Sequence, residues 1–333
     1  MNPSEPRFKP EPTDGSRYRP AVHRVALSAA AFTLPLLFVG GSVTSYGVGL
    51  AVPDWPTTFG MNMFLYNFWY APFGVQVEHT HRLYGAAVGL ATIVLALSLL
   101  AFERRRYMKA LGVVALAAVV AQGVMGGLRV SQLSTTFAAV HGVFGQVFFG
   151  LMVALCVLTG RLWQTSGPAV PDPARLRGWA AGALGLVFAQ VVVGAWFRHF
   201  KSAHALWSHV VLAFVVLGVS HALAARVRRN RAAADFLLPS ARTAAVAATL
   251  QVALGLLALW LMLPLGGNPR TPTLWQAMAR TAHQTNGALL LAASVVLALR
   301  AFGHLRSTAP AIDTQPPLPN RTEPFPKTME AVA

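Results

Sequence analysis

Eight long apolar runs, separated by short polar and basic segments, set the pattern of the chain. They cover roughly residues 25–50, 79–102, 108–128, 137–160, 178–197, 205–225, 241–263 and 281–302. Each reaches the ~20 mostly apolar residues that a helix needs to cross a bilayer. In lipid, backbone polar groups must be satisfied within the segment, so runs of this kind predict helices. Residues 1–24 are polar, basic and Pro-rich, and the run after them is too long for a signal-peptide core; a retained first helix is expected. Residues 303–333, rich in Pro and polar residues, predict a disordered tail. The chain divides into a cytoplasmic basic N-terminus (1–24), a four-helix bundle (25–160), a cytoplasmic linker (161–177), a second four-helix bundle (178–302) and the cytoplasmic tail (303–333).

Composition narrows the class further. Of 333 residues, 55% are hydrophobic and only 11% charged, against about 25% charged in an ordinary soluble domain. A soluble globular enzyme and a disordered chain are both excluded. The net charge of +16 alone would suit nucleic acid, but the basic residues cluster between apolar runs and therefore report membrane orientation. Membrane lipid, not nucleic acid, is the expected surroundings. Of the 27 Lys and Arg residues, 21 fall at the two ends and in the loops after the second, fourth and sixth runs. The other six, Arg82, Arg129, Arg198, Lys201, Arg270 and Arg280, fall on the opposite side. This split predicts a multi-pass protein of the cell inner membrane with both termini cytoplasmic. The single cysteine, Cys156, lies inside an apolar run, so no intrachain disulfide, CxxC pair, CxxCH haem attachment or thiolate zinc site can form.

Histidines recur at one depth. His81, His141, His209 and His283 each open an even-numbered run on the outer side, and each is followed four residues later by a small residue, Gly85, Gly145, Ala213 and Gly287. Position i+4 shares the helix face, which leaves space beside the imidazole for something flat. The odd runs repeat as well, with Gln122-x-x-x-Gly126, Gln190-x-x-x-Gly194 and Gln251-x-x-x-Gly255. Gly126 to His141 and Gly194 to His209 are both 15 residues, whereas Gly255 to His283 is 28 because of the Gly/Pro-rich loop near Gly266–Pro272. An all-α membrane protein built of two parallel four-helix-bundle repeats is expected, each with an even number of helices and so the same direction in the membrane.

Ionisable residues in a bilayer are costly and tend to be functional. Two histidines on two helices of a bundle suit bis-imidazole ligation of a haem iron; the plainer alternative is interfacial histidines hydrogen-bonded to loops. Zinc is the poorer metal, since two histidines per bundle fall short of the three or four ligands it takes. Only Asp54 and Glu78 are acids on the outer side. Glu78, three residues before His81, is a candidate acid or base beside the site and equally a helix N-terminal acid favoured by the dipole. Asp54, in Pro53-Asp54-Trp55-Pro56, reads as turn chemistry. Arg82 and Arg280 adjoin candidate ligands and suit haem propionates, or else anchor at the interface by snorkelling; Arg198 reads as an anchor. His79, His199 and His204 have no assigned role.

The stretches Gly40-Gly41-Ser42-Val43-Thr44-Ser45, Gly49-Leu50-Ala51-Val52-Pro53-Asp54-Trp55-Pro56 and Glu78-His79-Thr80-His81-Arg82, with His141-Gly142, His209 and His283 in that order, resemble the heme A synthase family of membrane proteins. The resemblance covers roughly residues 25–302. It implies oxidation of the C8 methyl group of haem O to the formyl group of haem A, in successive steps, for cytochrome c oxidase assembly. It also implies that His81 and His141 hold the substrate haem with Glu78 close to the chemistry. His209 and His283 would then hold a haem b that passes electrons. Haem O handed over by a haem O synthase and an electron acceptor are the implied partners. The chain departs from many members of that family in lacking outer-loop cysteine pairs and an Arg near Gly41. Two other classes share the histidines: a di-haem b-type cytochrome that only transfers electrons, which has no need of Glu78, and a haem carrier that holds one haem weakly.

Overall fold

The computed structural model describes residues 18–164, 170–172, 174–262 and 272–306. The first seventeen residues, the tail beyond Arg306 and residues 263–271 ahead of the last helix lie outside the described residues; Arg7, Lys9, Arg17 and Arg270 are among them. Within the described residues, eight helices are long and apolar enough to cross a membrane. They are α1 (Pro20–Tyr46), α2 (Phe73–Phe102), α3 (Arg106–Ser131), α4 (Thr135–Thr159), α5 (Leu176–Phe200), α6 (Ala203–Arg229), α7 (Arg231–Trp260) and α8 (Leu274–His304). The protein is an all-α membrane protein.

Hydropathy located every span but not its ends, because helices continue through polar flanks until a capping group stops them. The first begins with Pro at its first position, where a missing N–H costs nothing. It ends at Tyr46 because Gly47 takes the left-handed conformation, φ 71°, and returns its N–H to Thr44 and Val43 carbonyls. Ser134, Ser202 and Asn230 cap α4, α6 and α7 through side-chain oxygens, and Thr273 with Gln276 forms a capping box on α8. The basic segment expected as a loop between the sixth and seventh spans is nearly all helical: α6 ends at Arg229 and α7 starts at Arg231. At 30 residues each, α2 and α7 are ~45 Å long at 1.5 Å per residue, enough to cross the headgroups as well as the hydrocarbon.

Helices α1–α4 close a ring in which each packs on the next and α4 returns to α1; α5–α8 close a second ring in the same order. The first ring is filled by Val22, Leu95, Leu99, Met108, Phe148, Met152 and Leu155. At the end of the second ring far from its histidines lie Leu176, Leu223, Leu237 and Leu297. The rings meet where α8 packs on α1 and α4 and where α4 packs on α5, with Phe149 against Ala288 and Ala292 at the centre.

The segment between the rings is more than a linker. Arg161–Gln164 forms a helical turn, and β1 (Val170–Pro171) pairs in parallel with β2 (Leu305–Arg306). Asp172 then accepts from the Leu176 and Arg177 N–H groups at 2.7 and 3.0 Å, starting α5. Residues 303–306, assigned to the tail by composition, belong instead to the end of α8 and to β2, because the extended partner at 170–171 gives their backbone a hydrogen-bonded place.

Candidate functional site

Each of the four recurring histidines lies well inside its helix rather than at the opening. His81 is the ninth residue of α2, His141 and His209 the seventh of α4 and α6, and His283 the tenth of α8. In each ring the two histidine-bearing helices are diagonal, not adjacent, so the imidazoles face across the bundle axis. The rings of His81 and His141 have centroids 6.3 Å apart and planes at 88°. Those of His209 and His283 are 6.0 Å apart at 77°.

The helix next to each histidine supplies a glycine. A Cβ added at Gly40 would lie 2.8 Å from His81 Cε1; at Gly126, 3.3 Å from His141; at Gly194, 2.6 Å from His209; and at Gly255, 2.9 Å from His283. In all four contacts Cε1 is nearest the glycine, then Nδ1, then Nε2, so the four imidazoles share one orientation. His283 shows what that orientation does. Its Nδ1 lies 3.1 Å from the Gln251 carbonyl oxygen, which draws the ring proton to Nδ1 and leaves the Nε2 lone pair pointing away from the backbone. Nδ1 of His81, His141 and His209 is buried and directed in the same way at the backbone of Leu36, Gln122 and Gln190, at longer reach.

The glutamines of the Gln-x-x-x-Gly repeats clamp the facing helix. Gln190 Nε2 donates to the His209 carbonyl at 2.8 Å and Gln122 Nε2 to the His141 carbonyl at 3.4 Å. Gln251 Nε2 lies 3.3 Å from His283 Nε2, and its Oε1 accepts from Asn286 at 2.8 Å. The small residues after the histidines serve this clamp: Cβ atoms at Gly145 and Gly287 would sit 3.1 and 3.2 Å from the Gln122 and Gln251 amides. Helix α1 is a fourth member that the sequence motif missed, because Leu36 stands four residues before Gly40 where the others carry Gln. The matching space at Gly85 has nothing within 4 Å.

This donor set fits a haem iron. Two imidazoles facing one metal with bonds of ~2 Å would have ring centroids ~6 Å apart, close to the 6.3 and 6.0 Å found. No group of three or more His, Cys, Asp or Glu able to hold a metal ion occurs among the described residues, so zinc lacks its donors.

Glu78 and Arg82 form one unit. Glu78 is 3% exposed; its Oε1 pairs with Arg82 Nη2 and its Oε2 accepts from the Val52 N–H, each at 3.0 Å. Arg82 also donates to the carbonyls of Asp54, Thr57 and Val52 at 2.7, 3.0 and 3.0 Å. Three of its terminal N–H groups are thus spent on carbonyls of the α1–α2 loop and the fourth on Glu78. Glu78 makes no hydrogen bond to either imidazole of the first pair. It holds the loop over that pair. Asp54 keeps the turn role read for it, accepting from Thr57 and from the Phe59 and Gly60 N–H groups.

Other residues sort by place. Arg129 lies flat on the Gly49 backbone, where a Cβ would overlap Nη2. His199 reaches across from the second ring to Gly142, next to His141, with Nε2 3.9 Å from a Cβ there. Arg198 donates from Nη2 to the Gly41 carbonyl and Ser45 Oγ, both at 2.9 Å, so it joins the rings rather than snorkelling. Arg280 keeps a buried Nε without a partner. His79 is fully buried under the α1–α2 loop, against Thr58, Tyr66 and Phe68, and His204 is exposed.

A family model, COX15-CtaA, described as cytochrome oxidase assembly protein, matches residues 23–208. The match takes in α1–α5, both histidines of the first pair and the Glu78–Arg82 clamp. No curated protein matches the chain.

Proposed function

Because the chain belongs to the COX15-CtaA family of cytochrome oxidase assembly proteins, we propose that it is a heme A synthase, converting haem O to haem A. The observation that carries this reading is the pair of diagonal imidazole couples at the spacing of two axial ligands. Each is held by a glycine contact, and three of the four are flanked by a clamping glutamine. The first pair, His81 and His141, is assigned to the substrate haem, and the second, His209 and His283, to a haem b. The family match stops one residue short of His209, so the second assignment rests on pair geometry.

Oxidising a methyl to a formyl group with the oxygen atom taken from water (R–CH3 + H2O → R–CHO) releases four electrons and four protons overall. Haem b, when bound, supplies a one-electron carrier beside the substrate bundle, and an acceptor outside the chain completes the balance. The protein's own part is positioning. Opposed helices fix the imidazoles, the glutamines hold those helices in register, and the Glu78–Arg82 unit closes the α1–α2 loop over the first pair. Glu78 is the one outer carboxylate near that pair and is assigned the proton-accepting role, through the lone pairs that Arg82 and Val52 leave free. The site opens to the outer face of the cell inner membrane, both termini are cytoplasmic, and haem O arrives from a haem O synthase.

The test is pigment analysis of the purified full chain, with His283→Ala alongside. Haem A or hydroxylated haem O together with haem B is the expected content, and His283→Ala should lose the haem B spectrum while the protein stays in the membrane. Haem B alone in the parental protein would leave only electron transfer, and no haem at all would end the reading.

A further inference from the structure

The outer face carries cations that its acids do not balance. Asp54 is engaged by its own loop and Glu78 by Arg82 and Val52. Arg198 near the end of α5, Lys201 just beyond it and Arg280 in α8 lie within electrostatic reach of one another. None has a carboxylate partner among the described residues, and residues 263–271 contain no acid.

The three cations gather where α1, α5 and α8 meet. Arg198 is fixed there by Gly41 and Ser45, and Ser45 also accepts from Thr281, the neighbour of Arg280, at 3.0 Å. Both Nη2 protons of Arg198 are used, which leaves Nε and Nη1. Arg280 Nε is buried and unpaired, and Arg280 is three residues before His283, on the same helix face. Lys201 is exposed and makes no hydrogen bond with its side chain. Like charges gathered in a partly dehydrated place are costly unless an anion lies among them, and guanidinium groups take carboxylate or phosphate oxygens in pairs.

We propose that Arg198, Lys201 and Arg280 form a binding site for a carboxylate or phosphate group at the outer end of the second histidine pair. Two ligands carry that chemistry. One is the propionates of a haem on His209 and His283, which rests on the function proposed above; the other is the phosphate of an anionic lipid, which does not.

The experiment uses the full chain in detergent and the variants Lys201→Gln, Arg280→Gln and the double variant, with Arg280→Lys as the charge-conserving control. Lys201 is exposed and unbonded, so its replacement leaves the fold intact. Two quantities are read: the rate at which excess apomyoglobin extracts haem, and the adducts formed with phosphatidylglycerol against phosphatidylcholine in native mass spectra. If propionates fill the site, the double variant loses haem about tenfold faster or more, keeps its low-spin spectrum, and is partly restored by Arg280→Lys. If lipid fills it, haem extraction is parental and the preference for phosphatidylglycerol disappears. Parental behaviour in both measurements overturns the proposal. A parental protein without haem would defeat the haem reading alone, and the lipid measurement would then decide the anion site by itself.

Discussion

The glycine contacts allow a graded perturbation whose order is set by distance alone. Carbon atoms in contact prefer ~3.5–4.0 Å. Alanine at position 194 would put a Cβ 2.6 Å from His209 Cε1, at 40 it would be 2.8 Å from His81, at 255 2.9 Å from His283, and at 126 3.3 Å from His141. The imidazole must therefore retreat about 0.9 Å in Gly194→Ala and only about 0.2 Å in Gly126→Ala, taking ~3.5 Å as the limit. The ring is the end of a side chain with two torsions, so the apoprotein adjusts and the helices stay packed. A ligated ring has no such freedom, because its Nε2 is tied to the iron position. Overpacking of this size costs roughly 1–3 kcal/mol, which becomes about a five- to hundred-fold weaker hold on haem at the crowded positions. The assay is haem retention by the purified variants, read from the low-spin spectrum and the rate of transfer to apomyoglobin, with thermal stability as control. Retention should fall in the order Gly126→Ala, Gly255→Ala, Gly40→Ala, Gly194→Ala, with stability nearly level. A Gly194→Ala protein that holds haem as tightly as the parent would refute the orientation assigned to His209.

Three further outcomes are expected. Glu78→Gln should keep both haems and lose ~10²–10⁴ in haem A formation, whereas Arg82→Gln, which opens the same loop clamp but keeps the carboxylate, should lose less; equal losses would make Glu78 a loop anchor only. Reporter fusions after residues 130 and 268 should read as exported and those after 105 and 230 as cytoplasmic, and the opposite pattern would reverse the arginine argument. Burial raises the Asp54 carboxyl, but hydrogen bonds from Thr57, Gly60 and Phe59 together outweigh it and leave the group below the ordinary carboxylate value. Its contribution to loop order is thus present above about pH 4 and lost as pH falls through the lower folded value. Protection factors of the amides in residues 47–72, referenced to intrinsic exchange rates, should fall on acidification, and Asp54→Asn should abolish that fall.

What the sequence could show depended on how local the physics was. Span existence and the depth of the four histidines follow from hydropathy and spacing, which act within one helix. The partner of His81 was hidden because recognition of the Gln-x-x-x-Gly repeat required a glutamine, and α1 carries Leu36 there; the structural requirement is only the glycine. The bonds of Arg82 were hidden for a different reason. Its acceptors are carbonyls of Val52, Asp54 and Thr57, backbone groups that carry no residue signature and reach it only when a long loop folds back. The same holds for β1 and β2, two residues each and more than 130 positions apart.

The place of α8 has a consequence for how the protein is made. It follows the other seven described spans in the chain, yet it is the helix that contacts α1 and α4 of the first ring as well as α5 and α7 of its own. Until it leaves the ribosome, Ser45 lacks its bond from Thr281, Asn286 has not reached Gln251, and Leu305–Arg306 are not there to pair with Val170–Pro171. A nascent chain with seven spans inserted therefore exposes an unsealed polar seam to lipid. The junction between the two rings closes fully only when α8 is in place, so a truncation within α8 leaves the halves joined by little more than α4 on α5 and the Arg198 bonds to α1.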